Sequence, residues 1–356
     1  MWSCLQVKIK PVLQTWGRTL IGRVPSLSLE ITKECPLRCP GCYAYEDAHL
    51  GTTNLRSLSD FKGQQLIDRV LQLVDEHRPL HLSIVGGDPL VRYRELEVLL
   101  PKLVDRGIHV QLVTSAFRPI TASWATLPRL QISVSVDGLQ PDHDVRRAPA
   151  TYERILKNIA GQHVTIHCTI TSAMTKRDSY IPEFLGVWSA NSSVEKIWFS
   201  IFTPQRGAHN VECLTSDERR RVIEQLLQLR THFPKLDMGE AALREYLNPP
   251  RSPERCIFAQ TTRSLSADFK TRVEPCQFGG DPDCSRCGCF ASMGLAAIGH
   301  HKLLGSVSAG DIYWASAKVG QRVRRMEDKL SKLFNGTDNE PTESDENVST
   351  KLPILN

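Results

Sequence analysis

The sequence predicts an α/β protein: a partial (β/α)6 barrel of the TIM type with a small cysteine-rich C-terminal extension. Two observations lead there. Between residues 27 and 205, six short apolar or alternating runs rich in β-branched residues are separated by amphipathic segments, the rhythm of parallel strands joined by right-handed crossovers. Six such units fall short of the eight of a closed barrel. Beyond them, the sequence changes character, with five cysteines inside residues 256–289.

Each element follows from its local pattern. Residues 1–26 carry Lys8, Lys10, Arg18 and Arg23 and no acid. Leu13, Trp16 and Leu20 fall on one face of a helix that either packs on the barrel or lies as a basic interfacial helix against lipid or a partner. The alternating run 27–32 is the first strand. Ser57 or Ser59 is placed to cap a helix bearing Phe61, Leu66, Val70, Leu71 and Val74. Strand 80–85, helix 92–106, strand 109–114, a short helix near 121–127 and strand 130–136 follow. Helix 151–160, strand 164–171, a helix near 181–189 and strand 196–202 complete the barrel, and helix 216–229 closes a core domain spanning 27–235. Residues 236–255, with Pro249, Pro250 and Pro253, read as a linker. A cysteine-rich domain is expected over 256–310, where Thr261–Leu265 and Thr271–Val273 flank Ala267-Asp268 as a hairpin would. A basic helix over 311–336 and an acidic tail over 337–356 end the chain. That tail holds Asp338, Glu340, Glu343, Asp345 and Glu346 and cannot bury enough apolar area to fold. The net charge is +5, so the rest of the chain stands near +10. Such a charge suits an acidic substrate or a membrane surface, with a solvated basic face as the plain alternative. No nucleic-acid partner is indicated.

At 356 residues, with 41% hydrophobic and 23% charged residues, the chain can bury one large core. It lacks both a run of the ~18 apolar residues that span a bilayer and a secretory signal pattern. The expected address is cytoplasmic, where thiols stay reduced, so the eleven cysteines point to metal rather than disulfides. Cys168 sits in an apolar strand and reads as core packing. Cys4 and Cys213 carry no signal, and His300-His301 reads as surface.

Cys35, Cys39 and Cys42 follow the first strand directly, spaced C-x3-C-x2-C on a loop broken by Pro36, Pro40 and Gly41. Three thiolates from one loop suit an iron–sulfur cluster with one iron left open, and an open position is what a catalytic metal needs. A loop zinc site is the plain alternative. Reactive groups of such barrels gather at strand ends, and there the sequence places Gly86-Gly87-Asp88, Thr114-Ser115, and Ser135 with Asp137. The second group, Cys256, Cys276, Cys284, Cys287 and Cys289, can close a zinc site or fully ligate a second 4Fe–4S cluster; spacing alone leaves both open.

These residues resemble the radical S-adenosylmethionine (SAM) superfamily. The resemblance covers roughly 27–205 as the core and 256–290 as a twitch or SPASM-like extension. It implies that Cys35, Cys39 and Cys42 hold a 4Fe–4S cluster whose open iron chelates SAM, which an electron then cleaves to methionine and a 5′-deoxyadenosyl radical. It further implies that Gly86, Gly87 and Asp88 match the family's Gly-Gly-Glu, which binds the SAM amino group. Ser135 would contact the ribose, and Arg147 the SAM carboxylate. Gly41 and Tyr43 around the third cysteine depart from the family, which often has an aromatic residue before that cysteine. Ser115-Ala116 likewise replaces the usual Asn-Gly. For the second group, the resemblance favours an auxiliary 4Fe–4S cluster on Cys256, Cys276, Cys284 and Cys287, with Cys289 as a fifth candidate.

The expected function is therefore hydrogen abstraction from a peptide or small metabolite, with the auxiliary cluster aiding oxidation or cross-linking. A flavodoxin or ferredoxin would serve as reductant. Two alternatives stand beside it. The basic helix, barrel and C-terminal cysteines are also similar in layout to the radical SAM enzyme that adds adenosine to a hopanoid lipid, which would bring peripheral membrane contact. A zinc-containing binding protein without catalysis is the other.

Overall fold

The computed structural model describes residues 9–149, 152–208 and 210–335. The expectations for Cys4, for residues 1–8 of the N-terminal segment and for the acidic tail 337–356 lie outside them.

Seven parallel strands form one sheet: β1 (Ser26–Glu30), β2 (His81–Val85), β3 (His109–Thr114), β4 (Leu130–Ser135), β5 (Val164–Ile170), β6 (Val194–Ile201) and β7 (Thr262–Leu265). Their order is β6-β5-β4-β3-β2-β1-β7, and every pairing is parallel. The first six are the six predicted units of a partial barrel. The seventh adds to the hairpin expectation. The hairpin forms, with Ser266 N donating to Thr271 O at 2.8 Å, Val273 N to Ser264 O at 3.1 Å and an antiparallel Leu265↔Arg272 bridge. Its first arm, Thr262–Leu265, also pairs in parallel with β1 from Ser26↔Thr262 to Leu29↔Leu265.

The strands alternate, and both faces are legible in their sequences. One face carries Leu27, Leu29, Leu82, Ile84, Leu112, Val134, Ile166 and Ile197, all fully buried in the main core. Each such side chain contributes roughly 1.5–3 kcal/mol by leaving water. Cys168 is among them, as expected. The opposite face carries small polar residues, Ser26, Ser28, Ser83, Gln111, Gln131, Ser133 and Ser135, which line a cavity inside the barrel. An ordinary barrel fills that space with branched aliphatic layers. Here the core lies between sheet and helices, and the lumen stays open.

Several helices differ in detail from the sequence reading. Helix Gly63–His77 begins after Lys62 with no side-chain cap. Ser57 instead ends a separate 3-10 turn, and the first helical N–H, on Gly63, is taken by Glu95 Oε1 at 2.8 Å. The short helix near 121–127 is a 3-10 turn, Ala122–Thr126. Helix Ser216–Leu229 opens with a capping box between Thr215 and Glu218, which offsets two of its free donors. The linker expected over 236–255 is part of the core. Leu236, Met238, Leu243 and Tyr246 are buried in it, helix Glu240–Glu245 lies within it, and Tyr246 Oη donates to Phe199 O at 2.7 Å.

The gap between β6 and β7 is walled by the helix Phe290–His300. Its sequence is small and apolar because one side faces the lumen with Phe290, Ala291, Gly294 and Leu295, while Met293 and Ala296 are buried on another. The chain reaches this helix through Gly288, whose O accepts from Ile201 N at 2.9 Å and whose N donates to Thr203 Oγ1 at 2.9 Å. Phe290 packs on Trp198 with ring centroids 5.0 Å apart. The C-terminal helix Ala309–Asn335 crosses the N-terminal helix Ile9–Leu20. The expectation for that N-terminal helix is packing on the barrel, or contact with lipid or a partner; among the described residues it packs chiefly on the C-terminal helix and reaches the barrel where Arg18 Nη1 donates to Arg78 O. No helix among the described residues is long and apolar enough to cross a membrane.

A Cβ on Gly288 would collide with Ile201 O, so Gly288→Ala is expected to lower stability by about 1–3 kcal/mol. In helix Tyr180–Ala190, a Cβ on Gly186 would meet nothing within 4 Å, so Gly186→Ala is expected to be neutral or to gain about 0.4–1 kcal/mol. Urea unfolding of the two variants checks both.

Candidate active site

The loop after β1 is held by backbone. Gly87 N donates to Thr32 O at 2.8 Å and Asp88 N to Glu34 O at 2.9 Å. Side chains are excluded: a Cβ on Gly86 would lie 2.6 Å from Thr32 O, and one on Gly87 would meet Glu34 O and Tyr45 Oη. Gly86 also has φ +134°, where other residues are strained. Both glycines line the lumen cavity, yet their first task is to let the end of β2 lie against the chain entering Cys35. A second brace comes from Arg92, whose Nη2 sits 2.8 Å from Asp60 Oδ2 and 3.0 Å from Glu34 Oε1. Thr32 Oγ1 donates to the same Asp60 oxygen at 2.9 Å.

Cys35, Cys39 and Cys42 all open onto that cavity of about 910 Å³, near the upper end of the range for ligand pockets. Burial pushes the Cys35 thiol up to about 12, with Asp88 and the other two cysteines adding to it. Burial also raises Cys39 and Cys42, which feel each other. Gly41 has φ +65° and lies against Glu212 and Asn210, so a bulky aromatic residue is disfavoured there. Tyr43, on the other side of Cys42, supplies an aromatic ring instead. It meets Phe278 edge-on at 5.6 Å and His49 at 5.7 Å.

Asp88 is buried, and both its oxygens are occupied. Oδ1 accepts from Thr114 Oγ1 at 2.7 Å and Leu90 N at 3.0 Å. Oδ2 accepts from Ser115 N at 2.8 Å and Ser115 Oγ at 2.5 Å. The Ser115-Ala116 pair that departs from the family pattern thus braces β3 to β2. Ala116 takes φ +52°, and its O accepts from Asn158 Nδ2 at 2.8 Å.

Across the cavity stand Ser135 and the pair Arg146 and Arg147. Asp137, fully buried, receives Arg146 Nη1 at 2.5 Å and Arg147 Nε at 2.7 Å on one oxygen, and Thr169 N at 2.9 Å on the other. Burial opposes its charge, but the two guanidiniums prevail and hold its carboxyl well below the usual range. Arg146 also grips Glu212 through both carboxylate oxygens, at 2.7 and 3.0 Å. Sequence reading singled out Asp137 and Arg147 but missed Glu212, which is remote in the chain and carries no local signal.

Cys256, Cys276, Cys284, Cys287 and Cys289 line one second, smaller cavity of about 30 Å³. Cys289 lines the large cavity as well, as do Thr203, Phe258 and Phe278, so these four form the wall between the two. Burial pushes Cys276 up to about 12 and Cys284 to about 11, and raises Cys287 and Cys289. Gln277 Nε2 donates to Cys289 Sγ at 3.2 Å. Among the described residues no three His, Cys, Asp or Glu side chains converge on the geometry of a single ion; the fold supplies two thiol-lined cavities. A buried pair joins the two groups. His49 Nε2 lies 2.9 Å from Glu30 Oε1, and its Nδ1 donates to Phe278 O at 3.1 Å. Ser266 Oγ donates to Glu30 Oε2 at 2.5 Å. Glu30, a charge ending an apolar strand, was a signal that sequence reading passed over.

Residues 29–175 match the family model of the Radical SAM superfamily. They form a radical SAM domain. Such a domain works with a 4Fe–4S cluster and SAM. Among solved structures, SuiB of Streptococcus suis bound to its precursor peptide SuiA superposes with a TM-score of 0.55 at 16% identity, over 77% of this chain and 64% of SuiB. SuiB bound to S-adenosylmethionine gives 0.50 at 15% identity, over 74% and 61%. Each match thus spans less than two thirds of SuiB, and the likeness is one of fold. No curated protein sequence matches the chain. The thiols of the radical SAM domain fit the family's cluster by donor chemistry. They are soft and gathered on one loop, and iron deprotonates a coordinating thiol outright.

Two outcomes check this geometry. Gly87→Ala is expected to cost about 1–3 kcal/mol and to lower iron content after anaerobic reconstitution, because the loop must move. Asp137→Asn is expected to cost about 3–5 kcal/mol at pH 7 by leaving Arg147 without a carboxylate and Arg146 with Glu212 alone. Since the folded Asp137 carboxyl lies below its unfolded value, its contribution is present above about pH 4 and fades as pH falls. The gap between wild type and variant should therefore begin to narrow in urea titrations below about pH 4 and keep narrowing toward the lowest pH reached.

Proposed function

We propose that this chain is a radical SAM enzyme that abstracts hydrogen from a peptide substrate, with an auxiliary 4Fe–4S cluster next to the reaction cavity. One observation carries the reading: the thiols of Cys35, Cys39 and Cys42 open onto a single cavity whose far wall includes Cys289 of the second cysteine group. The open iron of the first cluster, with bound SAM, would supply a carbon radical able to take hydrogen from an unactivated C–H bond.

The chain's own residues do the rest. Cys35, Cys39 and Cys42 would hold the first cluster. Gly86 and Gly87 offer the backbone at which a SAM amino group is bound, with Asp88 holding that turn in shape. Ser135 would meet the ribose. Arg147, anchored through Nε on Asp137, keeps its other nitrogens available for a carboxylate. Trp198, Phe202, Phe290 and Leu295 exclude water from the reacting centre, which protects a radical from side reactions. Cys256, Cys276, Cys284 and Cys287 would hold the auxiliary cluster, with Cys289 able to replace one of them. All five are free thiols, buried or half-buried, a donor set suited to an iron–sulfur cluster. A cluster there would lie beside the substrate, placed to accept its electron. The peptide assignment is supported by the shared fold with SuiB, which binds a precursor peptide.

Anaerobically reconstituted protein is expected to hold about eight irons with matching sulfide, as two 4Fe–4S clusters require. Replacing Cys35, Cys39 and Cys42 by alanine should halve the iron and abolish 5′-deoxyadenosine release under dithionite. Replacing Cys276 and Cys284 should halve the iron while leaving that release intact. Zinc without sulfide would overturn the proposal.

A further inference from the structure

The N-terminal helix Ile9–Leu20 and the C-terminal helix Ala309–Asn335 cross through small residues. A Cβ on Gly320 would strike Thr19 O, and one on Gly22 would lie 2.7 Å from Gly320 O. Arg324 Nη2 donates to Gly22 O at the crossing. With Thr19 turned inward, the N-terminal helix and its last turn show the opposite side to solvent. Leu13, Leu20 and Ile21 are 55, 41 and 51% exposed, and Gly17 is exposed between them. The spacing i, i+4, i+7, i+8 is that of a single helix face, which a soluble protein normally turns to its core. The C-terminal helix exposes Lys318, Arg322, Arg325 and Lys329 at i, i+4, i+7, i+11, flanked by exposed Val319 and Met326.

A cluster of guanidiniums lies beside the crossing. Arg18 Nη1 donates to Arg78 O, Arg23 follows Gly22, and half-buried Arg263 faces Arg324. Among the described residues none of Arg18, Arg23, Arg78, Arg263 and Arg324 is within salt-bridge distance of a carboxylate. Burial and then the neighbouring arginines push Arg18 and Arg263 down, with Glu76 only partly offsetting this at Arg263, so the cations here outnumber the carboxylates near them. Arg23 precedes β1 and Arg263 is the second residue of β7, so this corner lies at the strand ends opposite the cysteine loop.

We propose that these two helices and the arginine corner between them form a docking surface for an anionic lipid membrane. An exposed aliphatic stripe beside bases on long flexible stems is what an interfacial helix offers. The apolar side chains enter the boundary between headgroups and acyl chains, and the bases remain among the headgroup phosphates. The unpaired guanidiniums match phosphate in charge and geometry. An acidic protein would satisfy the charges but give no reason for aliphatic side chains to stand open on both helices. Docking here leaves the cysteine end of the barrel free, and the inference is independent of the chemistry proposed above.

The test is sedimentation of the full chain with vesicles of phosphatidylcholine alone and with one quarter phosphatidylglycerol. The expected result is roughly tenfold or greater preference for the anionic vesicles, falling as salt is raised. Two surface variants, Leu13→Ser with Leu20→Ser and Ile21→Ser, and Lys318→Glu with Arg322→Glu, Arg325→Glu and Lys329→Glu, should each lower partitioning about tenfold with melting temperatures unchanged. Equal binding to both vesicles, no binding, or full binding by either variant overturns the proposal. So does capture by soluble heparin without vesicle binding, which would assign the surface to an acidic macromolecule.

Discussion

The molecule depends on a place where two stretches of backbone touch with nothing between them. At the end of β2, Gly87 and Asp88 donate to Thr32 and Glu34, and no side chain fits. This contact fixes the entry to the cysteine loop without a flexible intermediary. From it, order spreads outward through Asp88 to Thr114 and Ser115 and through Arg92 to Glu34 and Asp60. Radical chemistry rewards such rigidity, because the reacting atoms must be held within about 3–3.5 Å of each other.

The cysteine-rich extension is joined to the barrel as firmly as any of its own units. β7 is a strand of the main sheet, Gly288 bonds to the end of β6, and helix Phe290–His300 walls the lumen. Glu30 and His49 lock the loop after the first cysteine group to the backbone beside Cys276. Gly279 and Gly280 press on the same region, since a Cβ on either would meet His49 or Gln205. Two thiol groups separated by more than 200 residues of chain thereby share a wall.

The six barrel units were legible because the strands alternate and all but β3, which is followed by a 3-10 turn, lead to a helix; in β4, Gln131, Ser133 and Ser135 point one way and Ile132 and Val134 the other. The first cysteine loop announced itself by spacing. The hairpin around Ala267-Asp268 was legible from its turn signal, but the place of its first arm as β7 of the main sheet was not, since only the open edge of β1 supplies that second partner. The buried run around Met238 and Tyr246 was masked by Pro249, Pro250 and Pro253, which follow it and make the whole stretch look like a linker. Pairings such as Arg146 with Glu212 join residues 66 positions apart and leave no local trace. The glycine pair was visible, but its contact with the cysteine loop was not, since sequence shows a missing side chain and not what comes to occupy the space.

The hydroxyl- and amide-lined lumen has a consequence for how such a scaffold changes over time. Because the aliphatic packing lies outside the ring of strands, residues such as Ser83, Gln111 and Gln131 can be exchanged without opening a void in it. Specificity and foldedness are thus written on opposite faces of the same strands, and selection can redraw one while leaving the other untouched.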